Sequence, residues 1–143
     1  MMADPQRPMY ETREDRAREA AVIEKIERHL DAKAQKCPMR YRADYALLRG
    51  NEVLRFVEVK VRSECYDPYW IALDKWMMLE RLSLYALHSS LIVVQWPDRL
   101  ACVEVSPTNR KRLAIWGGRK DRADWQDVEP MVCIPLARFD EIG

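Results

Sequence analysis

The sequence predicts a single α/β domain built on a mixed sheet with helices on its faces. Three stretches predict it. Arg55 to Arg62 alternates strictly, with Val57, Val59 and Val61 on one side and Phe56, Glu58, Lys60 and Arg62 on the other. That period of two is a β-strand with one buried face. Upstream, Val22, Ile23, Ile26 and Leu30 fall in one stripe of a charged stretch when placed at about 100° per residue, as in an amphipathic helix. Downstream, Ser90 to Trp96 is a nearly continuous apolar run after a second helical pattern. A strand buried on both faces after a crossover helix has that signature.

Composition sets the limits. A chain of 143 residues is one domain's worth and can bury a core without staples. Hydrophobic residues make up 48% and charged residues 33%, and the net charge is only +1, so any contact with nucleic acid must use a local basic patch. The four cysteines form no C-x-x-C pair, which argues for free thiols and against a zinc site. Two histidines far apart exclude a histidine-based metal site or triad. No apolar run approaches spanning length, and the N-terminus carries no signal-peptide core, so neither a membrane partner nor export is expected.

Taken in order, residues 1–12, with Pro5 and Pro8, are expected to form a flexible arm, and residues 13–143 the domain. The first helix pattern runs to about Ala34, with Thr12 and Asp15 as an N-terminal capping signal. Glu19 falls in the middle of its apolar stripe, in line with Ile23, Ile26 and Leu30; Glu24 falls outside the stripe and Glu27 at its edge. A carboxylate centred on an apolar face needs a partner, unless the helix emerges into solvent there. Arg40 to Leu48 is the first strand, and Arg49-Gly50-Asn51-Glu52 turns into the alternating one. A two-residue loop at Gly50-Asn51 sets Asp44 opposite Val57, and a three-residue loop centred on Asn51 sets it opposite Glu58. Sequence alone leaves this register open.

Ser63 to Tyr69 reads as a loop carrying Tyr66 beside Arg62, which suits stacking and phosphate contact; Trp70 reads as packing. The second helix opens at Ile71 to Trp76, and its apolar residues continue through Leu84, Tyr85 and Leu87 around nearly the whole circumference, so it is expected to be well buried. Leu100 to Val105 returns as a strand. Residues 106–130 read as polar and irregular, and the tail Met131 to Pro135 as a short edge strand. Arg119, Lys120 and Arg122 lie in the densest basic stretch, which fits a loop on a phosphate backbone or a solvated connector balanced by nearby acids.

The chemistry is concentrated on the hairpin. Asp44, then Glu58 and Lys60 after thirteen intervening residues, supplies two hard oxygen ligands for Mg²⁺ and one amine beside them, the set a phosphodiesterase needs. This Asp44…Glu58-Val59-Lys60 pattern resembles the PD-(D/E)xK nuclease superfamily, without the proline that often precedes the aspartate, since Arg42-Ala43 stands there. The resemblance covers roughly residues 15 to 105. It implies a restriction-endonuclease-like core of αβββαβ type and divalent-metal-dependent hydrolysis of DNA, with Mn²⁺ able to replace Mg²⁺. It further implies metal ligation by Asp44, Glu58 and the Val59 carbonyl, catalytic help from Lys60 and from a helix glutamate, carried here to Glu19 with Glu24 second, and a place facing the site for Lys75, for which a solvated first turn is the competing reading. DNA is the implied partner, a homodimer is compatible with it, and the implied location is the cytoplasm of a bacterium or phage-infected host. The alternative is a binding module that keeps the fold and has lost the chemistry.

Overall fold

The computed structural model describes residues 13–38, 43–117 and 129–143. The arm at 1–12, the Thr12 cap, the start of the expected first strand and the basic residues Arg119, Lys120 and Arg122 lie outside the described residues. The elements are α1 (Arg13–Leu30), β1 (Lys33–Lys36), β2 (Tyr45–Arg49), β3 (Glu52–Val61), β4 (Tyr69–Ala72), α2 (Leu73–Leu82), β5 (Ser90–Trp96), β6 (Arg99–Val105), α3 (Pro107–Arg110), β7 (Ala114–Trp116), β8 (Met131–Ile134) and β9 (Asp140–Glu141). Six strands form the main sheet in the order β1-β2-β3-β5-β6-β9, and β4-β8-β7 form a smaller one. β3 and β5 run parallel, joined through α2, and every other pairing is antiparallel. The class is mixed α/β, as the patterning predicts.

The two faces of β3 explain the layering. Val57 and Val59 pack with Leu91 and Val93 against Val22 and Ile26 of α1. Phe56 packs with Ile92, Val94 and Trp96 against Trp76, Leu79 and Leu82 of α2, and this second core takes in Tyr69, Ile71, Val132 and Ile134 of the smaller sheet. β5 is buried at every position but Gln95, which fits its unbroken apolar run.

Four features differ from the sequence reading. First, α1 stops at Leu30 rather than near Ala34, because Asp31 takes a left-handed φ of 50° and the chain turns back. The Arg49 guanidinium seals that end. Its Nη2 donates to the Leu30 and Asp31 carbonyls at 3.0 Å each and its Nε to Asp31 at 3.2 Å, satisfying carbonyls that the helix leaves open. Lys33 to Lys36 then forms the edge strand β1, a polar tetrapeptide with no apolar alternation to announce it.

Second, the helix ends at Leu82, followed by one turn of 3₁₀-helix over Ser83–Tyr85. The Ser83 hydroxyl donates to the Leu79 carbonyl at 3.2 Å and accepts the Ser90 amide at 3.0 Å, drawing the chain off the helix axis. Leu84, Tyr85 and Leu87 are therefore exposed, at 81%, 75% and 57%, and are not part of a buried circumference. Third, the stretch read as irregular holds α3 and β7, with Ser106 capping α3 through a 3.1 Å bond from the Asn109 amide. Fourth, β8 is the central strand of the smaller sheet and not an edge. Pro135 follows the last paired residue, Ile134, so its missing N–H removes no ladder bond. β4 itself comes from residues read as loop and helix opening.

The hairpin settles the register by a route that loop length does not reveal. The loop is the two-residue one, with Arg49 opposite Glu52 and Gly50 at φ 62°. Leu48 pairs with Val53, but Leu47 pairs with Arg55, so Leu54 is an extra residue and the strand bulges there. From the bulge onward every pairing is moved by one residue.

Replacing Arg49 with alanine opens the end of α1. Three charge-assisted but solvent-exposed bonds are worth about 1 kcal/mol together, or about 3 °C in melting temperature for a domain of this size. Thermal unfolding followed by circular dichroism measures the shift; an unchanged midpoint means the fork contributes nothing.

Candidate active site

Glu58 sits in the middle of the main sheet and is 3% exposed. A carboxylate there loses most of its hydration, at a cost of roughly several kcal/mol that positive charge beside it offsets. Two ammonium groups provide it. Lys60 Nζ lies 3.2 Å from Oε2 and Lys75 Nζ lies 3.2 Å from Oε1. Lys60 reaches Glu58 because residues two apart on a strand share a face. Lys75 reaches it from the first turn of α2, which packs on that same face. Of the two readings of Lys75, the structure takes the one facing the site. The contact with Lys75 is an ion pair without hydrogen-bond alignment, and Oε1 is a buried acceptor with an unfilled lone pair.

Asp44 comes to this carboxylate through the bulge. Tyr45 is opposite Val57, and one residue further Asp44 is level with Glu58. Its Oδ2 accepts the Val59 amide at 2.8 Å, and its backbone carbonyl accepts the Cys37 amide at 2.8 Å, so both its main chain and its side chain are fixed. In an extended strand a residue's N–H and C=O point to the same edge. The Val59 carbonyl is thus aimed to the side where Asp44 lies and where β2 has already ended.

The donor set has the character of a hard-cation site: an aspartate held by a backbone amide, a buried glutamate oxygen lacking a hydrogen bond, and a strand carbonyl on the same edge. These residues fit a divalent ion. The formal charges of Asp44, Glu58, Lys60 and Lys75 cancel, so a bound divalent ion would leave the site with two positive charges to set against a phosphodiester.

Glu19 has a different place from the one the sequence assigns it. The Tyr45 hydroxyl donates to its Oε2 at 2.6 Å, and Lys36 Nζ lies 3.5 Å away. Among the described residues no three His, Cys, Asp or Glu side chains gather at one point, so Glu19 does not join Asp44 and Glu58 as a third ligand. The partner demanded by a carboxylate in an apolar stripe is the phenol next to Asp44. Glu24 is exposed, and Glu27 accepts the Ala34 amide at 2.8 Å. Tyr45 went unnoticed because it reads as one more apolar residue of an alternating strand.

Arg62 and Tyr66 lie where β3 gives way to the following loop. Arg62 stacks over the Tyr69 ring, 5.8 Å from its centre, with Nη2 3.5 Å from the Tyr69 hydroxyl. Burial pushes the Tyr69 phenol above its usual range, against the pull of Arg62 and Lys60. Tyr66 is exposed, its hydroxyl bonded to Glu64. All four cysteines are free; burial, then Asp140, pushes Cys102 up to about 11, which makes it protonated filler.

With this geometry in hand, the comparisons with known proteins fall into place. A family model described as phage putative PDDEXK endonuclease matches residues 5–142. Among solved structures the chain is similar to Archaeoglobus fulgidus Hjc, a Holliday junction resolvase from an archaeal hyperthermophile. Sequence identity is 15% and the TM-score 0.56, over 91% of this chain and 92% of that one, a likeness of fold. No curated protein matches the chain.

Lys75→Met removes one of the two cations on Glu58. Because both lysines are partly exposed and Lys60 remains, the cost is about 1–3 kcal/mol rather than that of a fully buried pair. Urea unfolding of Lys75→Met, Glu58→Gln and the double variant measures the coupling. Adding Glu58→Gln returns most of the loss if the ion pair is real; a strictly additive double variant shows that it contributes nothing.

Proposed function

The chain belongs to the phage PDDEXK endonuclease family, and on that premise we propose that it is a divalent-metal-dependent nuclease that hydrolyses DNA phosphodiester bonds. The observation that carries the proposal is Glu58: a carboxylate removed from water, level with Asp44 and bracketed by two lysines. An ion pair needs only one lysine, and a structural carboxylate has no need of an acceptor left without a hydrogen bond.

Asp44, Glu58 Oε1 and the Val59 carbonyl are the proposed ligands, and Mg²⁺, with Mn²⁺ as substitute, suits three oxygens. When bound, such an ion supplies an acidified water and positive charge beside the phosphate. The remaining work falls to the chain. Lys60 donates from Nζ to the attacking water or to the phosphoryl oxygen whose charge grows. Lys75 pairs with Glu58 and presents a second ammonium to the same phosphate. Glu19, through the Tyr45 hydroxyl, steadies the strand end that carries Asp44 and acts as a positioning residue. Arg62 and Tyr66 contact the strand on either side, and Arg119, Lys120 and Arg122 are assigned to the DNA backbone.

The substrate class follows from charge and fold. A net charge of +1 gives weak attraction to duplex DNA at large, so recognition falls to local groups. The fold shared with a Holliday junction resolvase supports a branched or otherwise structure-specific DNA. Paired incisions at a symmetric branch need two sites, which a homodimer would provide. The family membership supports the cytoplasm of a phage-infected bacterium as the setting; no helix among the described residues is long and apolar enough to cross a membrane.

The test is cleavage of a panel of linear, nicked, flapped and four-way DNAs with Mg²⁺ or Mn²⁺. Wild type cleaves at least one, whereas Lys60→Ala and Glu58→Gln keep the native circular dichroism and lose about 10²–10³-fold in rate. Either ion raises the melting temperature of wild type but not of the Asp44→Asn, Glu58→Gln double variant. A wild type that binds branched DNA yet cuts none with either metal is instead a binding module on a nuclease fold.

A further inference from the structure

The two parallel strands β3 and β5 end side by side, and the carboxyl ends of parallel strands are where such sheets take ligands. A cleft of about 430 Å³ opens at this place, lined by the rings of Tyr66, Tyr69, Trp70 and Trp96, by Pro68 and Arg62, and by the carboxylates of Glu64 and Asp67. None of the residues assigned to metal ligation or catalysis lines it. We propose that this cleft is a nucleobase subsite, which takes one unpaired base of the DNA strand whose neighbouring phosphate lies at Glu58 and Lys60. The inference rests on the nuclease reading and narrows its substrate class to DNA with an unstacked nucleotide beside the cut.

The lining determines the kind of occupant. Tyr66 and Trp70 present exposed rings above a floor of buried Tyr69 and Trp96 and beside Pro68, a surface that welcomes a flat heterocycle more readily than a phosphate. The inner wall is rigid. Tyr69 packs edge-on against Trp96 at 6.2 Å and Phe139 at 5.9 Å, and Arg62 lies over its other face. Trp70 is braced by Trp116 at 4.9 Å, and the Tyr66 hydroxyl is tied to Glu64. Tyr66 and Trp70 are nonetheless 69% and 43% exposed. Rings held in place with a bare face can stack on a base without first being ordered.

Charge fixes the direction of the strand. Arg62 stands two residues beyond Lys60 on the same face, about 7 Å along the strand, roughly one nucleotide step. Glu64 and Asp67 line the cleft itself, where they repel phosphate; beyond the bonds they accept from the Tyr66 hydroxyl and the Leu136 amide, their remaining lone pairs can accept the N–H groups of a base edge. Arg62 also borders a second groove, of about 370 Å³, lined by Lys25 and by Arg18, which pairs with Glu14 at 3.8 Å. The sugar-phosphate chain thus has a cationic path on both sides of Arg62, with the aromatic cleft opening beside it. A base inside a duplex has its faces stacked and its edge paired, so only an unpaired one can enter at little cost.

Equilibrium binding without divalent metal tests this apart from catalysis. The probe is 2-aminopurine, placed either at the unpaired position of a flapped DNA or inside a fully paired duplex. Wild type quenches it at the unpaired position and favours the flapped DNA. In Tyr66→Ala the quench is lost and the flapped-to-duplex preference falls roughly five- to a hundredfold, while Tyr66→Phe retains both; Trp70→Ala falls in the same direction. Equal preference in Tyr66→Ala and wild type, or no quench in wild type, overturns the subsite. The nuclease reading is judged separately, by cleavage with Mg²⁺ or Mn²⁺. Quench and preference without cleavage keep the subsite and remove the enzyme; cleavage indifferent to Tyr66 keeps the enzyme and removes the subsite.

Discussion

One buried negative charge organises this molecule. Glu58 lies at mid-sheet, and burial of an ionised carboxylate costs more than most single interactions in a small domain return. The fold tolerates it because two lysines from separate elements converge on its two oxygens. Lys60 is local, but Lys75 arrives only when α2 docks on the sheet. The crossover that makes β3 and β5 parallel neighbours therefore also brings Lys75 to Glu58. Structure and chemistry are coupled at this point: the helix that covers the core carries the second cation of the site.

The bulge at Leu54 is the second constraint. A plain two-residue hairpin would set Asp44 against Val57, whose side chain enters the core beneath α1. One extra residue moves the pairing to Tyr45 against Val57, so that continuing the register past the end of β2 would set Asp44 against Glu58. Leu54 is itself buried among the residues that pack under α1, so apolar packing holds the bulge in place. The carbonyls of Val53 and Leu54 also accept the amides of Leu87 and His88, which ties the bulged strand to the segment leading into β5. A irregularity of one residue thus decides whether two acids can share a cation.

What the sequence reveals follows the strength of each physical signal. Val57 and Val59 alternate with charged residues because one face is core, and the run from Ser90 to Trp96 is apolar because both faces are. Those two strands and the helices beside them were legible, and so was the placing of Glu58 and Lys60 on one face of β3. Lys33 to Lys36 carries no signal because an edge strand needs only backbone partners. β4, β7 and β8 are three or four residues long, too short for periodicity to show, and they pair across fourteen or more residues of chain. Leu84, Tyr85 and Leu87 misled in the other direction: apolar spacing implied burial, but a serine hydroxyl competing for a helix carbonyl ended the helix first. Glu19 was singled out for the right reason, a carboxylate in an apolar stripe. The signal says only that a partner exists, and a tyrosine serves as well as a metal.

The distribution of charge then bears on how such a domain selects its substrate. A protein with a strong positive field binds any duplex, and its cleavage is limited by where it happens to land. Here the net charge is +1 and the four charges around Glu58 cancel, so little holds an unmodified duplex before a cation joins the site. Affinity must come from contacts a regular duplex does not offer, and the nearest are the exposed faces of Tyr66 and Trp70. Stacking on a ring is indifferent to sequence but depends on a base being free to leave its neighbours. On the proposed reading, a site with weak long-range attraction and aromatic surface near its carboxylates would discriminate by the shape of DNA rather than by its letters.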